Sequence, residues 1–317
     1  NRTIERILVG SKAMMMMRLL TVLLGLLSGV ASGGNVGDQS VTVLEEDEAA
    51  FYGIVLWSEG RSATTTLAYT LNHAGVPFCK LGGKAMKETY FHDLTAEAIS
   101  ECRETADRVA LTHVKPVFLY KTEQNDPDHA IGDTRAMFEA FATAGFTILV
   151  ANVRQNHLAR ELSGFELKVR EGYGDEFFHT DSARQGVATE NFCDDDGKPR
   201  PLAQKFRERN DFWLRGITDA LDLGFRVHTT TFSRIIMDAC NPVSEVLSMV
   251  GKHTINGDSF DCESLFMQTG GSHVGMPLVD RVGTAAADCI TRDMTDNGLA
   301  WMLEDNVTRL EPPRVYT

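Results

Sequence analysis

Apolar residues along this chain fall into two alternating patterns. Short runs rich in β-branched side chains, at 51–57, 76–80, 108–114, 146–153 and 225–231, predict buried strands. Between them apolar positions return every three or four residues over 62–75, 94–106, 132–144, 156–170, 202–222 and 242–251, which predicts helices with one buried face. Strand and helix in alternation predict an α/β fold, a three-layer arrangement whose central parallel sheet is covered on both faces, with ligands bound beyond the carboxyl ends of the strands. The stretch from Glu171 to Pro201 breaks the pattern. It is rich in Gly, Asp and Lys and reads as a long loop, either a lid or acceptor-binding segment or an insertion.

The first residues follow a different logic. A methionine run ending in Arg18 precedes an apolar core from Leu19 to Val30, and the small residues Ala31, Ser32 and Gly33 come next, the layout of a signal peptide. That core is shorter than the roughly 20 residues a spanning helix needs, so a cleaved signal is favoured over a signal-anchor. The chain therefore divides into an extension and signal segment over 1–33, a linker over 34–49, a single domain over 50–305 and a tail over 306–317. In a secretory compartment Cys79, Cys102, Cys193, Cys240, Cys262 and Cys289 are free to form disulfides, with the pairing open and Cys79 equally readable as a buried thiol. No Cys-x-x-Cys pair points to zinc. Asn306, Val307 and Thr308 form a glycosylation sequon that matches this compartment.

Composition narrows the partners. With 317 residues, 43% hydrophobic and 24% charged, the chain can bury a sizeable core. A formal net charge of −13 argues against a general nucleic-acid binder and gives no overall attraction to anionic membranes. An anionic ligand must then be held by a local basic or amide-rich pocket.

One such pocket is legible where the first strand ends. After Ser58 and Glu59 the chain becomes small and hydroxyl-rich before it turns helical. Gly60 and Ala63 let the backbone approach an anion, and the amides of the new helix point at it with the positive end of the macrodipole behind them. Arg61 adds charge, while Ser62, Thr64, Thr65 and Thr66 add hydroxyl donors. The Gly-Lys pair and glycine spacing of a Walker A loop are missing. A second strand, 146–153, ends in Arg154 and leads through Asn156 and His157 into a helix carrying Arg160 and Ser163. Arg154 and Ser163 are placed to meet at one anion, with Arg160 able to share that role. A third strand ends in His113, Val114, Lys115 and Pro116, where His113 and Lys115 share a face. His113 suits a general base and Lys115 and Arg61 supply positive charge, with Glu59 and His157 as rival bases.

These residues carry a family resemblance. Gly60-Arg61-Ser62-Ala63-Thr64-Thr65 resembles the first signature of the PAPS-dependent sulfotransferase superfamily, Pro-(Lys/Arg)-Ser-Gly-Thr-Thr, which holds the 5′-phosphosulfate of 3′-phosphoadenosine 5′-phosphosulfate (PAPS). Here Gly60 stands for the proline and Ala63 for the glycine. Arg154 through Ser163 is similar to the second signature, which binds the 3′-phosphate, and His113 to Pro116 resembles a Lys-Thr-His-x-Pro element in altered order. Residues 224–251, with Phe232 and Ser233 in place of Tyr-Glu, and the segment around Trp301 look like later elements of the family, so the resemblance spans roughly 50 to 305. It implies a P-loop-NTPase-like three-layer sandwich and an enzyme of the carbohydrate or bacterial type, moving a sulfuryl group from PAPS to a carbohydrate hydroxyl in the Golgi lumen or outside the cell. On this resemblance the donor site comprises Arg61, Ser62, Ala63, Thr64, Thr65, Thr66, Arg154 and Ser163, and the catalytic groups are His113, Lys115 and Arg61. No metal, nucleic acid or membrane partner is implied after signal cleavage. Two readings from other classes stand beside it: a P-loop kinase or hydrolase, and a secreted glycan-binding protein without turnover.

Overall fold

The computed structural model describes residues 51–59, 62–79, 81, 89–90, 94–116, 133–173, 181–238, 240–251, 262 and 277–304. The expected signal segment, the sequon, Gly60 and Arg61 lie outside them. Strands are β1 (Tyr52–Ser58), β2 (Thr89–Tyr90), β3 (Val109–Lys115), β4 (Phe146–Val153) and β5 (Arg226–Thr231). Helices are α1 (Thr64–His73), α2 (Ala96–Thr105), α3 (Thr134–Thr143), α4 (His157–Tyr173), α5 (Asp181–Phe192), α6 (Leu202–Asp222), α7 (Phe232–Met237), α8 (Cys240–Met249), α9 (Leu278–Val282) and α10 (Thr284–Asp296), followed by a 3₁₀ turn (Ala300–Leu303).

All neighbouring strands are parallel, in the order β2-β3-β1-β4-β5. The four long strands form the sheet proper and the two-residue β2 extends one edge. Central strands β1 and β4 are buried along almost their whole length, as a parallel sheet with both faces covered requires. Alternation then sorts their side chains. Val55, Trp57, Leu149 and Ala151 meet α2, α3 and α6 through Ile99, Met137, Phe138, Phe141 and Trp213. Ile54, Leu56, Ile148 and Val150 meet α1 and α8 through Leu67, Leu71, Val243 and Val246. A third, all-helical cluster joins α4, α5, α9, α10 and the start of α6.

At two glycines an aromatic ring leaves no room for a Cβ. One built on Gly53 collides with the Phe146 ring, and one built on Gly216 falls 2.7 Å from the Trp57 indole. Helix starts follow capping chemistry. Thr95 accepts from the Ala98 amide at 3.1 Å, Asp133 from Ala136 at 2.7 Å and Asn156 from Ala159 at 2.8 Å. For α6, which begins after Pro201, Asp293 of α10 reaches across to accept from the Ala203 amide at 2.8 Å.

Two expectations are corrected. The run at 76–80 does not form an extended strand: it touches β3 by an isolated bridge at Phe78, with the Leu111 amide donating to the Pro77 carbonyl and the Cys79 amide to the Leu111 carbonyl. Too few residues pair there to make a ladder. The stretch 171–201 is not one long loop, because α4 continues to Tyr173 and α5 occupies Asp181–Phe192. Only Ala188 and Phe192 of α5 give a clear apolar stripe, too weak a period to read without the α10 surface it covers. All six cysteines pair, as Cys79–Cys102, Cys193–Cys289 and Cys240–Cys262, which is the usage of an oxidising compartment and consistent with the secretory pathway. No helix of the described residues is long and apolar enough to cross a membrane.

Candidate functional site

Topology selects one end of the sheet. The chain leaves β1 toward β2 on one side and later leaves β3 for β4 on the other, so the order reverses about β1, and ligands of open α/β sheets bind outside the carboxyl end of such a strand. Ser58, Glu59, Ser62, Ala63 and Thr64 gather there.

Ala63 is the N-cap of α1 and has φ 58° and ψ 20°, the one non-glycine residue with positive φ among those described. A left-handed alanine costs about 1–2 kcal/mol, so the surrounding contacts must hold it there. Among the described residues no side chain caps α1, in contrast to α2, α3 and α4. The left-handed residue beside a helical one forms a concave amide array of the kind that suits an anion.

Beneath this turn lies a buried polar layer. Ser58 Oγ sits against Thr64 Oγ1 and 3.1 Å from the Glu59 carbonyl, which is also 3.4 Å from Thr64 Oγ1. Asn152, beside Ser58 in the β1–β4 register, donates its Nδ2 to the Ser62 carbonyl at 2.6 Å and lies 3.4 Å from Thr64 Oγ1. Ser58, Ser62 and Asn152 are wholly buried. Ser62 Oγ and Asn152 Oδ1 have no partner among the described residues.

The predicted residues divide. Ser62, Ala63 and Thr64 come together at the turn, Thr65 is exposed one residue on, and Thr66 is half-buried. Arg61 falls outside the described residues. Arg154 follows β4, nearly buried, its guanidinium carbon 4.2 Å from the centre of the Phe232 ring where β5 gives way to α7. Ser163 is half-buried in the second turn of α4. Asn156 is taken up structurally: besides capping α4, its Nδ2 donates to the Met302 carbonyl at 2.9 Å.

His113 sits on β3 beside Leu56 of β1, 5% exposed, with Nε2 3.4 Å from the Ser58 carbonyl. Burial pushes its pKa down to about 4, against the lift given by that carbonyl. The ring is neutral at pH 7, and if Nε2 donates to Ser58, Nδ1 is the nitrogen able to accept a proton. Lys115 lies half-buried on the same face, nearer the strand end.

Glu59, His157 and Arg160 belong to a buried charge network instead. Arg160 Nη1 is 2.9 Å from Glu59 Oε2, His157 Nδ1 is 3.7 Å from the same oxygen, and Glu161 is 2.7 Å from both Lys205 and Arg209 of α6. Burial alone raises the Glu59 pKa, yet Arg160, His157 and Arg209 together bring it down to about 2. His157 is lowered, chiefly by burial. Glu59 is thus a committed counter-ion and a poor base, and Arg160, tied to Glu59, is spoken for.

Ser58, Asn152 and the pairing of Glu59 with Arg160 are what the sequence pattern does not single out. For the first two a signal was present: a serine and an asparagine at the ends of otherwise apolar strands. Comparison of the chain with protein families, with curated proteins and with solved structures finds no match.

Proposed function

We propose that this chain is a PAPS-dependent sulfotransferase acting on a carbohydrate hydroxyl in the lumen of the secretory pathway. The observation that carries the reading is the uncapped α1 behind a left-handed Ala63, set at the end of the central strand where the strand order reverses. An amide array of that kind fits a terminal phosphate or phosphosulfate. The buried hydroxyls of Ser58, Ser62 and Thr64 fit an anion site better than an apolar one.

PAPS, when bound, supplies the sulfuryl group. The chain's part is to hold the 5′ end at residues 61–66, to hold the 3′-phosphate through Arg154 and Ser163, and to accept the acceptor's proton on His113, with Lys115 and Arg61 offsetting charge on the leaving phosphate. The acceptor oxygen forms its bond to sulfur as the bond from sulfur to the phosphate oxygen breaks. Adenosine 3′,5′-bisphosphate leaves, and the hydroxyl proton passes to the base.

Calorimetric titration with adenosine 3′,5′-bisphosphate and with ATP separates this reading from a kinase or hydrolase. Preference for the bisphosphate supports it, and preference for ATP overturns it. Transfer of radiolabelled sulfate from PAPS to a glycan panel separates it from a glycan-binding protein without turnover. Arg154→Ala and Ser163→Ala should each erode the preference for adenosine 3′,5′-bisphosphate over AMP, by about tenfold or more for Arg154. A preference that survives both changes moves the 3′-phosphate site elsewhere.

A further inference from the structure

The left-handed turn at Ala63 must be held by something, because alanine does not choose that conformation unaided. We infer that Asn152 is the positioning residue that sets the cradle, by fixing the peptide between Ser62 and Ala63 so that its amide faces the anion. This inference rests on reading the turn as a phosphate site.

The geometry is simple. Asn152 Nδ2 donates to the Ser62 carbonyl at 2.6 Å from the neighbouring strand, below the turn. A trans peptide is planar and points its N–H opposite its C=O. Pinning the carbonyl down toward β4 therefore turns the Ala63 N–H away from the sheet, the side from which a ligand beyond the strand ends arrives. The same amide group lies 3.4 Å from Thr64 Oγ1, so one side chain reaches both flanks of Ala63. Asn152 is wholly buried on a rigid central strand, which suits a residue that must hold position to a fraction of an ångström. Serine or aspartate there loses the match: serine is too short to span the gap, and an ionised aspartate sets acceptor against acceptor.

A glycine at 63 accepts the left-handed conformation without strain, so the need for Asn152 should shrink in an Ala63→Gly background. Four proteins test this: wild type, Asn152→Ser, Ala63→Gly and the double variant, each titrated with AMP and with adenosine 3′,5′-bisphosphate and each unfolded in urea without ligand. Asn152→Ser is expected to weaken both nucleotides about tenfold. Their ratio should stay unchanged, since the 3′-phosphate is held by other residues. The loss should shrink to about threefold or less when glycine is already at 63. In the ligand-free arm the drop in unfolding midpoint caused by Asn152→Ser should likewise be smaller in the glycine background. Equal losses in both backgrounds, or a changed ratio between nucleotides, overturn the inference while leaving the donor reading intact. A wild type that binds neither nucleotide overturns the donor reading, and the ligand-free arm then still decides whether Asn152 holds the turn.

Discussion

At the scale of single residues, His113 separates chemistry from packing most sharply. Its ring is nearly buried, its Nε2 leans on the carbonyl of Ser58, and burial has drawn its pKa down to about 4. If it accepts the acceptor proton, His113→Ala should slow turnover by about 10²–10⁴-fold with donor affinity close to wild type. The acid limb of the wild-type rate profile should then lie near pH 4 and not near the ordinary histidine value, because the folded ring stays neutral well below it. Full turnover in His113→Ala reduces the residue to a support for the Ser58 carbonyl. Gly216 makes a second test. A methyl group there would meet the Trp57 indole at 2.7 Å, and Trp57 Nε1 already donates to the Trp213 carbonyl at 3.1 Å, so the ring has little freedom to retreat. Gly216→Ala should destabilise by about 1–3 kcal/mol, read as a lower urea midpoint, and it should disturb Ser58 next to Trp57. An unchanged midpoint shows that the indole can move. The sequence revealed the hydroxyl cluster at 62–66 because small polar residues after an apolar strand are a local signal. The pairing of Glu59 with Arg160 was not legible, because a counter-ion pair between two distant segments leaves no mark in either one.

Elements were legible in proportion to how much of their stability is local. Helix α6 was read to the residue, since its buried positions from Leu202 to Ala220 keep one stripe over its whole length. Strands β1, β3 and β4 match their expected ranges within a residue because they are buried along nearly their whole length and show as largely apolar runs, whereas β5, partly exposed, shows through its β-branched valine and threonines. Helix α5 was missed. It buries Ala188 and Phe192 against α10 and is tethered where it ends by Cys193–Cys289, a bond between residues 96 apart in sequence. Such a long loop takes more entropy from the unfolded chain when closed than the loops closed by Cys79–Cys102 and Cys240–Cys262, which span 23 and 22 residues. Replacing Cys193 and Cys289 together by serine should cost about 3–5 kcal/mol, more than the same change at Cys79 and Cys102. Urea unfolding of the two double variants checks the order, and a smaller loss at Cys193 and Cys289 would show that α5 is held by packing alone.

For the molecule as a whole, the sheet order explains why a short hydroxyl-rich turn is set apart from all the others: β1 is the strand about which the chain reverses direction, and every buried polar group of the candidate site sits at or beside its end. Burying those groups carries a consequence in acid. Between pH 6.5 and about 4 the unfolded His113 holds a proton that the folded one excludes, so stability falls as pH drops through that window, by roughly 3 kcal/mol if the full shift is realised. His157, also lowered by burial, adds loss of the same sign. Below pH 4.5 the carboxylates take over. Glu59 and Glu161, both held down to about 2, are ionised when folded but protonated when unfolded, and their contribution is lost as pH falls from 4.5 toward 2. Asp293, raised by burial, works in the opposite direction. Stability measured by urea unfolding should therefore start to decline below pH 6.5 and keep declining to pH 2. In His113→Gln the first part of the decline should flatten while the part below pH 4.5 remains. A profile that is level between pH 6.5 and 4.5 in the wild-type protein would mean that the imidazole reaches solvent or a carboxylate in solution, and would also return His113 to an ordinary histidine pKa in the rate profile.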